Sequence, residues 1–125
     1  MILVFGGAYQ GKLEYAIKNY GLEESDIHDC SEQKDIDFSK KCIYKLEEYI
    51  YNMVDDEVNA VIWFAENKEL FKDKVLICQD ISNGIVPANK KLREYRETVG
   101  RVMIGLGNEA DIVVRVFCGI GKKIN

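Results

Sequence analysis

The sequence of 125 residues has little of several residue types that mark specialised folds. It contains one proline and one histidine, and its four cysteines show no C-x-x-C spacing. We therefore expect neither a disulfide framework nor a zinc site, and Cys42, Cys78 and Cys118 should pack as small apolar residues. No apolar run approaches the ~18 residues of a membrane span, and the first residues lack the basic start of a signal peptide. These absences predict a cytoplasmic protein without a membrane partner.

Positive charge is also scarce, since the formal net charge is -4. This charge does not favour nucleic acid as a partner. The basic run from Lys90 to Arg96 is interrupted by Glu94, which is typical of a solvated helix face, although such a run can also face a phosphate. Domains usually have ~100–200 residues, so the length predicts a single domain over residues 1–125.

Glycine is the residue type that carries the first functional signal. The segment Gly6-Gly7-Ala8-Tyr9-Gln10-Gly11-Lys12 follows an apolar stretch and precedes a helical pattern. Its spacing, G-x-x-x-x-G-K, is that of a P-loop, in which backbone N–H groups surround a phosphate and the lysine reaches the outer phosphates. Leu13 stands where a P-loop has Ser or Thr to hold Mg²⁺. We predict a nucleotide site over residues 6–13, with Lys12 as a catalytic residue.

Strand and helix patterns alternate along the chain. This alternation predicts an α/β fold, a P-loop NTPase-like, mainly parallel sheet with flanking helices. Residues 61–64 fit a helix or a strand, and we favour the helix. The predicted strands are 1–5, 26–30, 74–78 and 111–117, with a turn at 82–84 and another at 119–121. The first predicted helix is 11–20, which ends at Gly21, and the second is 39–53, which is capped by Ser39. A third helix is capped by Asp55 or Asp56. The fourth is 89–106, and its inward-facing residues are Leu92, Tyr95, Val99, Val102 and Leu106.

A second candidate site residue, Asp80, closes the apolar strand 74–78. In parallel sheets, ligands lie beyond the carboxyl ends of the strands. A P-loop protein places there the acid that holds Mg²⁺ directly or through water. Asp80 is therefore predicted as a catalytic and Mg²⁺-binding residue, although an Asp before Ser82-Asn83-Gly84 also suits a turn.

The longest specific pattern runs from Asn83 to Val102. It contains Gly84-Ile85-Val86-Pro87-Ala88-Asn89-Lys90, then Arg93, Arg96 and Gly100-Arg101. This run resembles G-I-V-P-E-N-R-x-x-R-x-F/Y-R-D-x-x-G-R of the adenosylcobinamide kinase/adenosylcobinamide-phosphate guanylyltransferase family. The N-terminal strand with Gly6-Gly7 and Gly11-Lys12 is similar to that family's G-G-x-x-S-G-K-S, and 110–121 is similar to its ending.

The resemblance implies a nucleotide-binding P-loop domain that phosphorylates a hydroxyl of a corrinoid, cobinamide, with ATP or GTP, in a homo-oligomer. It implies that Pro87, Asn89, Arg93 and Arg96 contact substrate or phosphate. The chain departs from the family at three places, where Leu13 replaces Ser, Ala88 replaces Glu and Asp80 replaces Glu. His28 does not match the segment that carries the family's guanylylated histidine, so we do not expect guanylyl transfer.

Two other hypotheses stay open at this point. The chain could be a catalytically degenerate binding or regulatory module, which Leu13 favours. It could also be a small-molecule kinase with an unrelated acceptor, because the P-loop alone does not name the acceptor. No motif in the sequence distinguishes ATP from GTP.

Overall fold

A six-stranded sheet forms the centre of the molecule, in a computed structural model that describes residues 1–81 and 88–125. The strand order is β2-β3-β4-β1-β5-β6. The first five strands pair in parallel, and β6 pairs with β5 in the antiparallel direction. The strands are β1 (Ile2–Gly6), β2 (Ile27–Asp29), β3 (Cys42–Tyr44), β4 (Val75–Gln79), β5 (Ile112–Phe117) and β6 (Ile120–Lys123).

Helices cover both faces of this sheet. They are α1 (Lys12–Tyr20), α2 (Leu46–Asp55), α3 (Ala60–Glu66) and α4 (Lys90–Glu109). Strand residues alternate between two apolar clusters, because successive side chains of a strand point to opposite faces. Leu3 joins the cluster with α2, α3 and α4, whereas Val4 joins the cluster with α1. The predicted α/β fold, a P-loop NTPase-like, mainly parallel sheet with flanking helices, is confirmed.

Most predicted elements have the expected type and place. The first helix ends where Gly21 adopts a left-handed conformation (φ 63°) and donates its N–H to the carbonyl of Ile17, a common helix ending. Residues 61–64 lie in the helix α3, as favoured from the sequence. No helix in the described part of the chain is long and apolar enough to cross a membrane. The predicted turn at 82–84 lies outside the described residues.

The predicted helix over 39–53 is wrong in its first half. Residues Cys42–Tyr44 form the strand β3, and the helix begins only at Leu46. Cys42 and Ile43 are completely buried on opposite faces of the sheet, between β2 and β4. Sheet pairing therefore overrides the helical spacing of these residues. Ser39 caps no helix, and its N–H and hydroxyl instead donate to the Asp37 carboxylate.

Several smaller predictions are also corrected. Asn59, rather than Asp55 or Asp56, caps α3, because its side chain accepts the N–H of Ile62. Leu92 is 44% exposed at the start of α4, whereas Val99, Val102 and Leu106 face the core. Residues 120–123 form β6 rather than a turn alone. Cys118 is exposed in the turn before β6, whereas Cys42 and Cys78 are buried as predicted.

Candidate functional site

The loop between β1 and α1 closes on itself around its lysine. The Lys12 Nζ donates a hydrogen bond of 2.7 Å to the carbonyl oxygen of Gly7. Gly11, the residue before α1, is left-handed (φ 84°), which glycine adopts without strain. Lys12 is the first residue of α1, so its ammonium group and the positive end of the helix lie at the same loop. This geometry suits an anion at the loop.

Close backbone contacts hold the loop against the turn between β5 and β6. A Cβ atom at Gly6 would lie 2.4 Å from the carbonyl oxygen of Val116, so no side chain fits there. The Gln10 side-chain oxygen accepts the N–H of Cys118 at 2.7 Å, and its carbonyl accepts the N–H of Gly119 at 2.8 Å. The loop is therefore anchored at both ends before any ligand binds.

A cavity of about 640 Å³ lies beside this loop, at the carboxyl edge of the sheet. The predicted residues from Ala8 to Leu13 form one of its walls. The opposite walls come from the ends of β3 and β4 and from the first turn of α2. The residues on those walls and on α1 are Glu14, Tyr44, Lys45, Glu47, Glu48, Ile77 and Gln79.

Glu47 is the one buried carboxylate of this cavity and was missed by the sequence reasoning. The Glu47 side chain accepts the N–H of Gln79 at 2.9 Å, and Glu47 is only 7% exposed. Its backbone carbonyl accepts the hydroxyl of Tyr95 at 2.9 Å, which connects this site to α4. Burial raises the pKa of the Glu47 carboxyl, and the Gln79 N–H and Lys12 oppose that shift. These two hydrogen bonds fix the position of Glu47 in the wall of the cavity.

Lys12 and Glu47 influence each other across the cavity. Burial lowers the pKa of Lys12, and the attraction of Glu47 is the largest opposing effect. Glu47 follows β3 by three residues, so correct assignment of that strand would have placed it at the carboxyl edge of the sheet. Because residues 39–53 were predicted as one helix, the sequence offered no reason to place Glu47 in the site.

The predicted magnesium site has few ligands in the structure. Leu13 packs its half-buried side chain against the apolar cluster under α1 and brings no oxygen atom to the loop. Asp80 lies next to the loop, because its N–H donates to the Gly6 carbonyl at 2.8 Å. No group of three or more His, Cys, Asp or Glu side chains with metal-site geometry occurs in residues 1–81 and 88–125. A magnesium ion at a nucleotide usually needs only one or two protein ligands besides phosphate oxygens, so the predicted role of Asp80 in holding Mg²⁺ stays a prediction.

Three of the residues predicted to contact substrate lie in the described part of the chain, and none of them lines this cavity. Asn89 caps α4 by accepting the N–H groups of Lys91 and Leu92. Arg93 donates to the carbonyl of Ala88 at 2.6 Å, and neither it nor Arg96 lines the cavity at the loop. Pro87 lies outside the described residues. Their predicted contacts with substrate or phosphate remain predictions.

The sequence model of the family "Cobinamide kinase / cobinamide phosphate guanyltransferase" matches residues 38–124. The chain belongs to this family. The match starts after residues 6–13, so it does not test the predicted phosphate loop. The resemblance given by Asn83 to Val102 is confirmed.

Two curated relatives carry the name "Bifunctional adenosylcobalamin biosynthesis protein CobU". The protein of Salmonella typhimurium is 38% identical over 71 residues, which are 57% of this chain and 38% of the relative. The protein of Escherichia coli K12 is 32% identical over 80 residues, which are 62% of this chain and 44% of the relative. The chain thus spans about two fifths of the length of these relatives.

Proposed function

We propose that this chain, as a single domain, binds a nucleoside triphosphate with its phosphates on the loop of residues 6–13. The observation that carries the proposal is the closed loop. Lys12, the first residue of α1, donates a hydrogen bond from its Nζ to the carbonyl of Gly7. Backbone N–H groups, a helix N-terminus and a lysine are the groups that bind phosphate in such loops. The cavity of about 640 Å³ beside the loop has room for more of the ligand.

We further propose that the bound nucleotide is a phosphoryl donor to a hydroxyl of cobinamide, as the family's description suggests. The hydroxyl oxygen forms a bond to the γ-phosphorus, and the bond from that phosphorus to the nucleoside diphosphate breaks. Lys12 neutralises charge on the transferred group, and Glu47 accepts the proton of the hydroxyl. Such reactions depend mostly on positioning and on charge stabilisation. Both relatives are named for adenosylcobalamin biosynthesis, which agrees with this acceptor.

Calorimetric titration with GTP and with ATP tests the binding step. Lys12→Ala should weaken binding at least tenfold, because hydrogen bonds from a charged group are worth about 1.5–3 kcal/mol. Lys18→Ala, which removes an exposed lysine from the same helix, should leave the affinity unchanged. Equal binding by Lys12→Ala and the parent chain would contradict the proposed site. Transfer of the γ-phosphoryl group is then measured with radiolabelled nucleotide and cobinamide.

A second candidate function is a binding or regulatory module without turnover, which the apolar packing of Leu13 favours. Leu13→Ser distinguishes the two functions. A gain of phosphoryl transfer on addition of Mg²⁺ to this variant, over an inactive parent, would indicate a module that has lost its metal ligand. Equal turnover by the variant and an active parent would show that the kinase works without that hydroxyl.

A further inference from the structure

A second lysine lines the same cavity in an unusual backbone conformation. Lys45 lies between β3 and α2, and its φ of 58° places it in the left-handed region, which a side chain resists. It precedes the first turn of α2, opposite the wall formed by Lys12 and the phosphate loop. Strained residues of this kind persist where the surrounding structure holds them, and they concentrate at ligand sites.

Lys45 has no carboxylate partner in the part of the chain that the structure describes. None of the ion pairs that the described residues make includes Lys45. Its ammonium group lies 5.4 Å from the centre of the Tyr44 ring, over its face. Tyr44 lines the cavity too, so this contact keeps the ammonium group at the cavity wall. A half-buried lysine without a carboxylate partner can bind an anionic ligand at low cost.

The phosphate loop itself lacks one means of neutralising a polyphosphate. Leu13 supplies no oxygen for a divalent cation at the position where a P-loop has Ser or Thr. A triphosphate in this cavity therefore needs positive charge from the chain. Glu14 and Glu48 are exposed, so water screens their repulsion. The Glu47 carboxylate accepts the Gln79 N–H at 2.9 Å, which offsets part of its repulsion of an anion.

From this arrangement we infer that Lys45 is a second phosphate-binding cation. The polyphosphate of the ligand lies between Lys12 and Lys45, and its binding does not require a divalent cation. This inference rests on the proposed nucleotide site and adds to it the residue that takes the place of the metal. It assigns to the chain a clamp of two lysines on opposite walls of one cavity.

Replacement of Lys45 by asparagine separates its charge from its backbone strain. Asparagine tolerates the left-handed region better than lysine, so Lys45→Asn should unfold at the same temperature as the parent or higher. Inorganic tripolyphosphate is the probe, titrated calorimetrically into the full chain in EDTA and again in excess Mg²⁺. We expect binding in EDTA, and roughly tenfold weaker binding by Lys45→Asn, since one charged contact is lost. Lys41→Asn removes a 72%-exposed lysine just before β3 and should bind as the parent does.

Two results would overturn the inference while leaving the nucleotide site intact. The first is equal affinity of Lys45→Asn and the parent, with binding lost in Lys12→Ala. The second is parent binding that appears only with Mg²⁺. Equal affinity of Lys12→Ala and the parent, or no binding of tripolyphosphate, GTP or ATP under either condition, would instead overturn the proposed function, and the inference with it. A tenfold loss in Lys45→Asn at unchanged thermal stability supports the clamp.

Discussion

Glu47 lies in the candidate site, and its burial lowers the stability of the folded chain. Its carboxyl has a raised pKa in the folded chain, because burial disfavours its charged form. Below the ordinary value of 4.5, the folded and unfolded chains both hold the proton, and the carboxyl costs nothing. As the pH rises through the folded-state pKa, the folded chain must give up a proton that it holds more tightly. Stability is therefore lost on going from about pH 4.5 towards neutrality.

Glu47→Gln should accordingly raise the free energy of unfolding at pH 7, because the glutamine oxygen can still accept the Gln79 N–H without carrying charge. The advantage over the parent should shrink as the pH falls towards 4.5. Urea unfolding at several pH values measures both effects. Glu48→Gln, an exposed neighbour in the same helical turn, should show neither effect beyond about 0.5 kcal/mol. A stability difference that stays constant with pH would contradict the assigned cause.

At this scale the sequence shows the loop better than it shows the rest of the site. Gly6, Gly11 and Lys12 are recognisable from the sequence by their spacing. The two glycines take backbone conformations that few other residues adopt. Glu47 and Lys45 have no such signal, since acidic and basic residues are common on helices. Whether Glu47 and Lys45 lie at the site depends on where β3 ends, and that is set by the pairing of the sheet rather than by these two residues.

Among the elements, the helices α3 and α4 begin at asparagine side-chain caps that can be tested one by one. The Asn59 oxygen accepts the N–H of Ile62 at 3.1 Å and begins α3. Removing such a cap costs typically about 1 kcal/mol. Asn59→Ala should lower the free energy of unfolding by that amount in urea titrations. Ser39→Ala removes only an exposed turn contact and should change it by less than about 0.5 kcal/mol. The reverse order would favour the helix that the sequence predicted from Ser39.

The strand β3 shows why element boundaries were the weakest part of the sequence prediction. Cys42, Leu46 and Tyr49 recur at helical spacing, and nothing in the pattern divides them. In the folded chain Val75 donates its N–H to the Lys41 carbonyl, and Cys42 and Ile43 pair with β4. A pairing with residues more than thirty positions away cannot be found from local spacing. By contrast β4 and β5 are predictable, because each is a short apolar run bounded by polar residues.

The topology of the whole molecule explains how the site is assembled. Because β1 lies between β4 and β5, its carboxyl end meets the ends of both neighbours. The loop after β1 thereby reaches Gln79 and Asp80 on one side and Gly119 on the other. Alternation of strands and helices in the sequence was enough to predict this class of sheet. The strand order and the antiparallel β6 depend on long-range packing, such as Tyr15 of α1 lying over Gly121.

The distribution of cysteines gives a test of the whole fold. Cys30, Cys42 and Cys78 are buried, whereas Cys118 is exposed in the turn beside the loop of residues 6–13. Burial raises the pKa of Cys30 and of Cys42 to about 12, so few of their thiols are the reactive thiolate near neutral pH. A disulfide reagent such as DTNB should therefore label one of the four thiols rapidly in the native chain, and all four in denaturant. Cys118→Ser should abolish the rapid phase without changing the other three. Rapid labelling of a second thiol in that variant would show that one of the two apolar clusters is open to solvent, in conflict with the packing of helices on both faces of the sheet.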